Sequence, residues 1–181
     1  LNSIEESEIF IDNLLESKWE KESDRLKKLI DIKTELEEYL IKSKNNPKKT
    51  KGKKTKTPQP LEINTASGSL IQIGRNHRQN EYISLKKAKK GDLWFHAQEC
   101  PGSHVVLKSS IQGANESDLQ LAADLAALFS RAKGNKIVPV ILAPAEQLQR
   151  IPGALPGTVI HKNGTVVWGR AERALQHIKS K

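Results

Sequence analysis

Nineteen residues, Lys42 to Pro60, constrain the fold of this chain more than any other stretch. They are Lys, Asn, Thr, Ser, Pro, Gly and Gln only, and residues 42–57 hold eight Lys and no acid. Such a segment has nothing to bury, and its like charges repel one another. It predicts a disordered, extended, basic linker over 42–60. The 181-residue chain therefore divides into an arm, 1–41, and a body, 61–181. Charge divides the same way: net −6 over 1–41, +8 over 42–57 and +7 over 58–181. A basic body on a basic tether fits a polyanion partner. A charge excess also serves solubility alone.

The arm has no Pro or Gly from residue 4 to 41. Leu15, Trp19, Glu22, Leu26, Leu29, Lys33, Leu36 and Leu40 step by alternating threes and fours, a heptad seam with two polar interruptions. This predicts one long coiled-coil helix, half of an antiparallel arm. A lone seam cannot bury itself, so its expected partner is the upstream half of the same protein. Self-association of the isolated piece is the expectation where that half is missing. The alternative is a helix packed on the body's own core. The chain starts at Leu1 and contains no Met, which points to a piece of a longer protein. A single Cys allows no intrachain disulfide, so a reducing compartment, the cytoplasm, is expected. No stretch approaches the roughly 20 apolar residues of a membrane span, so no membrane partner is expected.

In the body, Leu70 to Ile73 alternates as a strand and stops at Gly74. Asn80 suits the cap of a short helix through Ala88. Gly91-Asp92 turns the chain into a strand, Leu93 to Ala97. Pro101-Gly102 turns it again into a returning strand, Ser103 to Lys108, giving a hairpin around Cys100. Ser117 to Lys133 reads as a helix capped by Ser117 and stopped by Gly134. Ile137 to Leu142 reads as a strand at an edge or bulge because of Pro139. Thr158 to His161 and Thr165 to Trp168 read as a hairpin over an Asn163-Gly164 type I′ turn. A last amphipathic helix runs from Ala171 to Ile178. Strands and helices alternate without a βαβ rhythm. The class is therefore α+β, a compact domain with a largely antiparallel sheet flanked by helices.

One stretch concentrates the chemistry. Arg75, Arg78, Lys86, Lys87, Lys89, Lys90 and Lys108 can neutralise phosphates. Asn76, Gln79, Asn80, Ser103, His96 and His104 can hydrogen-bond phosphate, sugar or base edges. Trp94 or the imidazoles can stack on an unpaired base, and Gly102 lets one backbone approach another. On the predicted strand, Trp94 and His96 share one face while Leu93 and Phe95 point into the core. Residues 75–80 lead into a helix N-terminus, a natural phosphate site. Protonated imidazoles would hold RNA better than neutral ones, so binding is expected to strengthen towards pH 6. The competing reading makes His96 and His104 satisfied core groups, Trp94 core and Lys86 to Lys90 a solvated face. His96, Cys100 and His104 stand four apart, but Pro101-Gly102 breaks the helix that would align them for zinc, so no metal is assigned. Nothing implies a cofactor. Cys100 as a nucleophile, or His96 and His104 in an RNA-modifying or RNA-cleaving enzyme, is an alternative.

The spacing of Gly74-Arg75-Asn76, Gln79-Asn80, Gly91-Asp92-Leu93-Trp94-Phe95-His96 and Pro101-Gly102-Ser103-His104-Val105 resembles the NFACT-R domain of the RqcH/NEMF family. That family is also called fibronectin-binding protein A-like. The match covers residues 61–168, with Leu155 to Ile160 resembling the family's closing Pro-Gly hairpin. The acidic helix before the lysines resembles the second strand of the family's coiled-coil arm. The resemblance implies binding rather than catalysis. It implies tRNA and large-subunit ribosomal RNA as partners, on subunits obstructed by a stalled peptidyl-tRNA, and support of C-terminal tailing, with alanine in bacteria. The family's second name carries the alternative of a fibronectin-binding surface adhesin.

Overall fold

The computed structural model describes residues 3–44, 57–109 and 113–180. Most of the lysine-rich linker, 45–56, lies outside them.

The arm is two helices, α1 (Ser3–Glu16) and α2 (Glu22–Lys44). This corrects the single coiled-coil helix expected over 4–41, and carries helix three residues into the expected linker. The chain turns through 17–21, where the Ser17 hydroxyl donates to the Leu14 carbonyl at 2.7 Å. Arg75 of the body reaches both Ser17 and Glu20 in that turn. Phe10, Leu14 and Ile32 are buried between the two helices, with Ile11, Leu29 and Leu36 packed against them. Leu15, Leu26 and Leu40 of the expected seam are exposed instead. The heptad seam implies a partner outside the chain. The partner found is inside it: α2 covers α1, and both lean on the body.

The body's strands are β1 (Leu61–Asn64), β2 (Leu70–Ile73), β3 (Leu93–Ala97), β4 (Val105–Lys108), β5 (Val138–Pro144), β6 (Leu148–Arg150), β7 (Val159–His161) and β8 (Thr165–Gly169). Six form one antiparallel sheet in the order β1-β2-β4-β3-β5-β8, and β6 pairs with β7 apart from it. The fold is α+β, with helices on an antiparallel sheet. Side-chain alternation splits the sheet's residues between two faces. Ile71, Ile73, Phe95, Val105, Leu107, Val138 and Val140 are buried against α4 (Glu116–Leu128) and α5 (Ala171–Lys179). Trp94, Val106 and Ala143 face the other way, where α3 (His77–Glu81) and the π-helical turn Tyr82–Lys86 cover the centre with Ile83.

Four expectations change. Asn76, not Asn80, caps α3: its side chain accepts from the Gln79 N–H at 2.8 Å. Asn80 is occupied elsewhere, its side-chain oxygen accepting from the His104 N–H at 3.0 Å. α4 is capped by Asn115 rather than Ser117 and ends at Leu128, because Ser130 leaves the helix to bridge Gly102. β5 lies inside the sheet despite Pro139. Its ladder with β3 begins one residue later, at Val140, so the missing Pro139 N–H costs no β3 bond, while the Pro139 carbonyl still accepts from the Gln98 N–H at 2.9 Å. β7 and β8 do not form the expected hairpin: β7 joins β6 and β8 joins β5. Asn163 has the positive φ of a tight turn, 52°, but Gly164 does not share it, so the turn is not type I′.

Candidate nucleic-acid interface

Three groups of polar residues flank α3 and its π-helical turn, and they differ in what they leave available.

The first is the loop Gly74 to Asn80, which the structure closes on itself. A Cβ on Gly74 would sit 2.2 Å from the Asn80 side-chain oxygen, so only glycine admits the loop. Gln79 accepts from the Arg75 N–H at 2.9 Å. Arg75 is 2% exposed. Its guanidinium pairs with Glu20, bonds Ser17 at 3.2 Å and lies 5.6 Å from the rings of Trp19 and Phe129. Burial lowers it to about 10, still protonated at neutral pH. His77 stands 3.2 Å from Glu6, and Arg78 pairs with Glu38 and, at 4.0 Å, with Glu35. Glu35 also accepts from the His77 N–H at 3.2 Å. A carboxylate thus occupies the helix N-terminus where sequence suggested a phosphate. Arg75, Asn76, Gln79 and Asn80, expected as RNA contacts, are all buried and engaged internally, where they shape the loop and seat the acidic arm. Arg78 keeps about a third of its side chain in solvent.

The second group is a cleft of about 330 Å³ at the β1–β2 end, lined by Thr57 to Pro60, Glu62, Gln72, Tyr82, Lys87, Lys89 and Lys108, where the Gln72 side-chain amide donates to Glu62 at 2.7 Å and three lysines outnumber the one acid. Lys108 is held by Asp92 and by the Lys87 carbonyl at 3.0 Å. Lys87 and Lys89 are exposed, the Lys87 ammonium 5.8 Å from the Tyr82 ring centroid. Lys86 and Lys90 are exposed beside them, Lys86 reaching Glu81 at 3.3 Å. The Lys segment is thus a solvated face whose members converge beside an aromatic ring. Sequence reasoning missed Gln72 and Tyr82 here. Their only signal was strand alternation for Gln72 and an isolated aromatic for Tyr82.

The third group lies across the sheet. Trp94 stacks on His96 with centroids 5.6 Å apart and planes 11° from parallel. His104 meets both rings edge-on, at 5.1 and 5.3 Å, and His161 approaches Trp94 at 5.9 Å. The expected sharing of a face by Trp94 and His96, opposite Leu93 and Phe95, matches this packing. A cleft of about 410 Å³ opens beside the rings, also lined by Glu6, Gln98, Glu99 and Thr158. His104 is 5% exposed and bonds the Ser84 hydroxyl at 2.8 Å. Burial first, then the neighbouring imidazoles, holds its pKa well below the usual histidine value, and burial also lowers His96. These shifts run against the expected strengthening of binding towards pH 6, which draws on protonated rings. Ser103 and Gly102 are buried. The Ser103 N–H donates to the Phe129 carbonyl at 2.9 Å, and a Cβ on Gly102 would stand 3.0 Å from that of Ser130. Both therefore join the hairpin to the end of α4 rather than face a ligand. Cys100 packs with the α4-side cluster, while His96 and His104 lie on the opposite face, so the three do not converge on a metal or a nucleophile–base pair. His161 was missed because its signal was only that of a strand end before Asn163-Gly164.

Residues 60–163 match the family model described as the NFACT protein RNA binding domain. The chain belongs to the NFACT RNA-binding domain family. It is 37% identical over 139 residues to a Bacillus subtilis protein named Rqc2 homolog RqcH, covering 75% of this chain and 24% of that one. A Streptococcus suis protein of the same name is 36% identical over 129 residues, covering 71% of this chain and 23% of that one. The chain therefore spans about a quarter of these relatives. The C-terminal part of the fibronectin/fibrinogen-binding protein of Streptococcus suis has the same fold, with TM-score 0.71 and 29% identity over 93% of this chain and 65% of that one. Among the described residues, no helix is long and apolar enough to cross a membrane.

Proposed function

We propose that this NFACT RNA-binding domain works in ribosome-associated quality control and acts by binding RNA rather than by catalysis. The observation that carries the reading is the lysine cleft. Residues 57–60, which follow the eight lysines of the tether, line the same cleft as Lys87, Lys89 and Tyr82. The exposed Lys86, Lys87, Lys89 and Lys90 thus offer cations to a phosphate backbone where the chain enters the body. The proposed partners are ribosomal RNA of obstructed large subunits, tRNA, or both, in the cytoplasm. The larger proposal, support of C-terminal alanine tailing, belongs to a full-length protein.

The test is a salt titration with single-stranded RNA. Affinity should fall steeply with salt. Replacing Lys87 and Lys89 with Gln should flatten the log–log slope by about 0.7 for each phosphate that is no longer neutralised. Replacing the eight tether lysines should weaken all RNA sequences alike. A competing reading draws on the name of the Streptococcus suis neighbour, which describes fibronectin and fibrinogen binding. Adhesion of that kind would persist at high salt and ignore the lysine variants.

We also propose that the exposed Leu15, Leu26, Ile30, Leu40 and Ile41 of the helical hairpin contact the upstream half of the protein or a second copy of the chain. Sedimentation of this chain should then show a concentration-dependent dimer. A monomer at every concentration counts against the idea.

A further inference from the structure

We propose that the cleft beside Trp94 and His96 is a pocket for one unpaired nucleobase of a bound RNA strand, distinct from the lysine cleft that holds phosphates. The inference rests on the RNA-binding reading and assigns a ligand to a second place on the same domain. Trp94 and His96 already form a two-ring stack, and His96, only partly buried, lines the cleft. A third planar ring can extend that stack, and base–aromatic stacking tolerates any base because each has a π-face. The Trp94 ring is 3% exposed, and its indole N–H has no hydrogen-bond partner among the described residues. A buried donor of this kind is ordinarily satisfied, which makes the Trp94 N–H a sensitive reporter of a base stacked beside its ring.

Charge says which part of a nucleotide enters. Glu6 and Glu99 line the cleft, and among the described residues no Lys or Arg does. A phosphate would be repelled, whereas carboxylates accept hydrogen bonds from exocyclic amino groups. Adenine, guanine and cytosine are therefore favoured over uracil. Glu99 holds a left-handed backbone, φ 50°, at the cleft wall. That conformation is uncommon for a side chain of this type and recurs where a group is held for a task. The volume, about 410 Å³, lies in the range of about 300–1,000 Å³ typical of small-ligand pockets.

The experiment compares RNA hexamers of each base with an abasic ribose-phosphate hexamer on the whole 181-residue chain. The adenosine hexamer should bind about tenfold more tightly than the abasic one, the expected scale for one stacked base. The uridine hexamer should fall between them. The Trp94 indole N–H resonance should move with adenosine and stay put with the abasic strand. His96→Ala should bring the adenosine hexamer to the abasic level. His161→Ala, at an exposed position lining the cleft, should weaken it in the same direction with an unchanged melting temperature. Lys87→Gln should weaken all hexamers equally. If abasic and base-bearing strands bind alike and the Trp94 resonance never moves, the pocket is wrong and phosphate binding stands. If no hexamer binds at all, the RNA-binding reading falls, and this inference with it.

Discussion

Arg75→Ala is expected to destabilise the chain by about 3–5 kcal/mol, the usual cost of stranding one half of a buried ion pair. Glu20 is 8% exposed in its side chain and lies between Arg75 and Lys28. Removing the guanidinium leaves that carboxylate with one cation, breaks the bond to Ser17, and opens a void between Trp19 and Phe129. Lys at this position should rescue little, because an ammonium cannot bond Ser17 and Glu20 while lying flat between two rings. The midpoint should fall by roughly 10 °C, on the scale of about 2–4 °C per kcal/mol for a chain of this size. Arg78→Ala is the control. Its side chain is 34% exposed, and the loss of its pairs should cost at most about 1 kcal/mol. RNA affinity per folded molecule should not change in Arg75→Ala. An unaltered midpoint with lost affinity would return Arg75 to the binding face and sink this assignment.

The contrast between Arg75 and Arg78 shows where sequence reasoning reached its limit. Both looked like phosphate ligands, because charge and spacing say nothing about what covers a side chain. Here the cover is the acidic arm, brought over the loop by a turn at 17–21 that contains neither Gly nor Pro. A heptad pattern cannot report such a break. What it cannot see is a long-range contact, between Ser17 or Glu20 and a residue more than fifty positions away. The strands read correctly, β2 and β3 above all, are those with clean alternation. The α4 region failed at its ends, where Ser130 is pulled to Gly102 by tertiary pairing rather than by local propensity. The β7–β8 error has the same origin: Asn163-Gly164 promised a local hairpin, and each strand found a distant partner. In the candidate site, the residue types were legible but their sorting was not. Lys86, Lys87, Lys89 and Lys90 face solvent. Asn76, Gln79, Asn80 and Ser103 turn inward, although by type alone any of them could serve a ligand.

Glu35→Gln is expected to stabilise the chain by about 3 kcal/mol at pH 8 and by less than about 1 kcal/mol at pH 5, since a tenfold change in proton affinity is worth about 1.4 kcal/mol. Burial raises the Glu35 carboxyl from 4.5 to about 7, against the opposing pull of His77 and Arg78. Its folded value lies above its unfolded one, so the folded state holds the proton more tightly. The stabilisation is complete below about 4.5 and is lost as pH rises through about 7. Arg78 can keep Glu38 as partner when Glu35 is neutralised. Gln preserves the volume and the oxygen that accepts from the His77 N–H. His96 and His104 run the opposite way. Their folded values are depressed, so they remove stability as pH falls below the unfolded histidine value of about 6.5. In the parent chain the two trends oppose one another between pH 5 and 7, and the profile should be shallow. In Glu35→Gln the histidine trend stands alone, and stability should fall continuously on acidification. Urea unfolding at pH 5, 6, 7 and 8 reads both effects. If Glu35→Gln is instead destabilised at pH 8, the ionised carboxylate is holding the α3 N-terminus and Arg78 more strongly than burial penalises it. The acidic arm would then be seated by charge at this point as firmly as it is at Glu20.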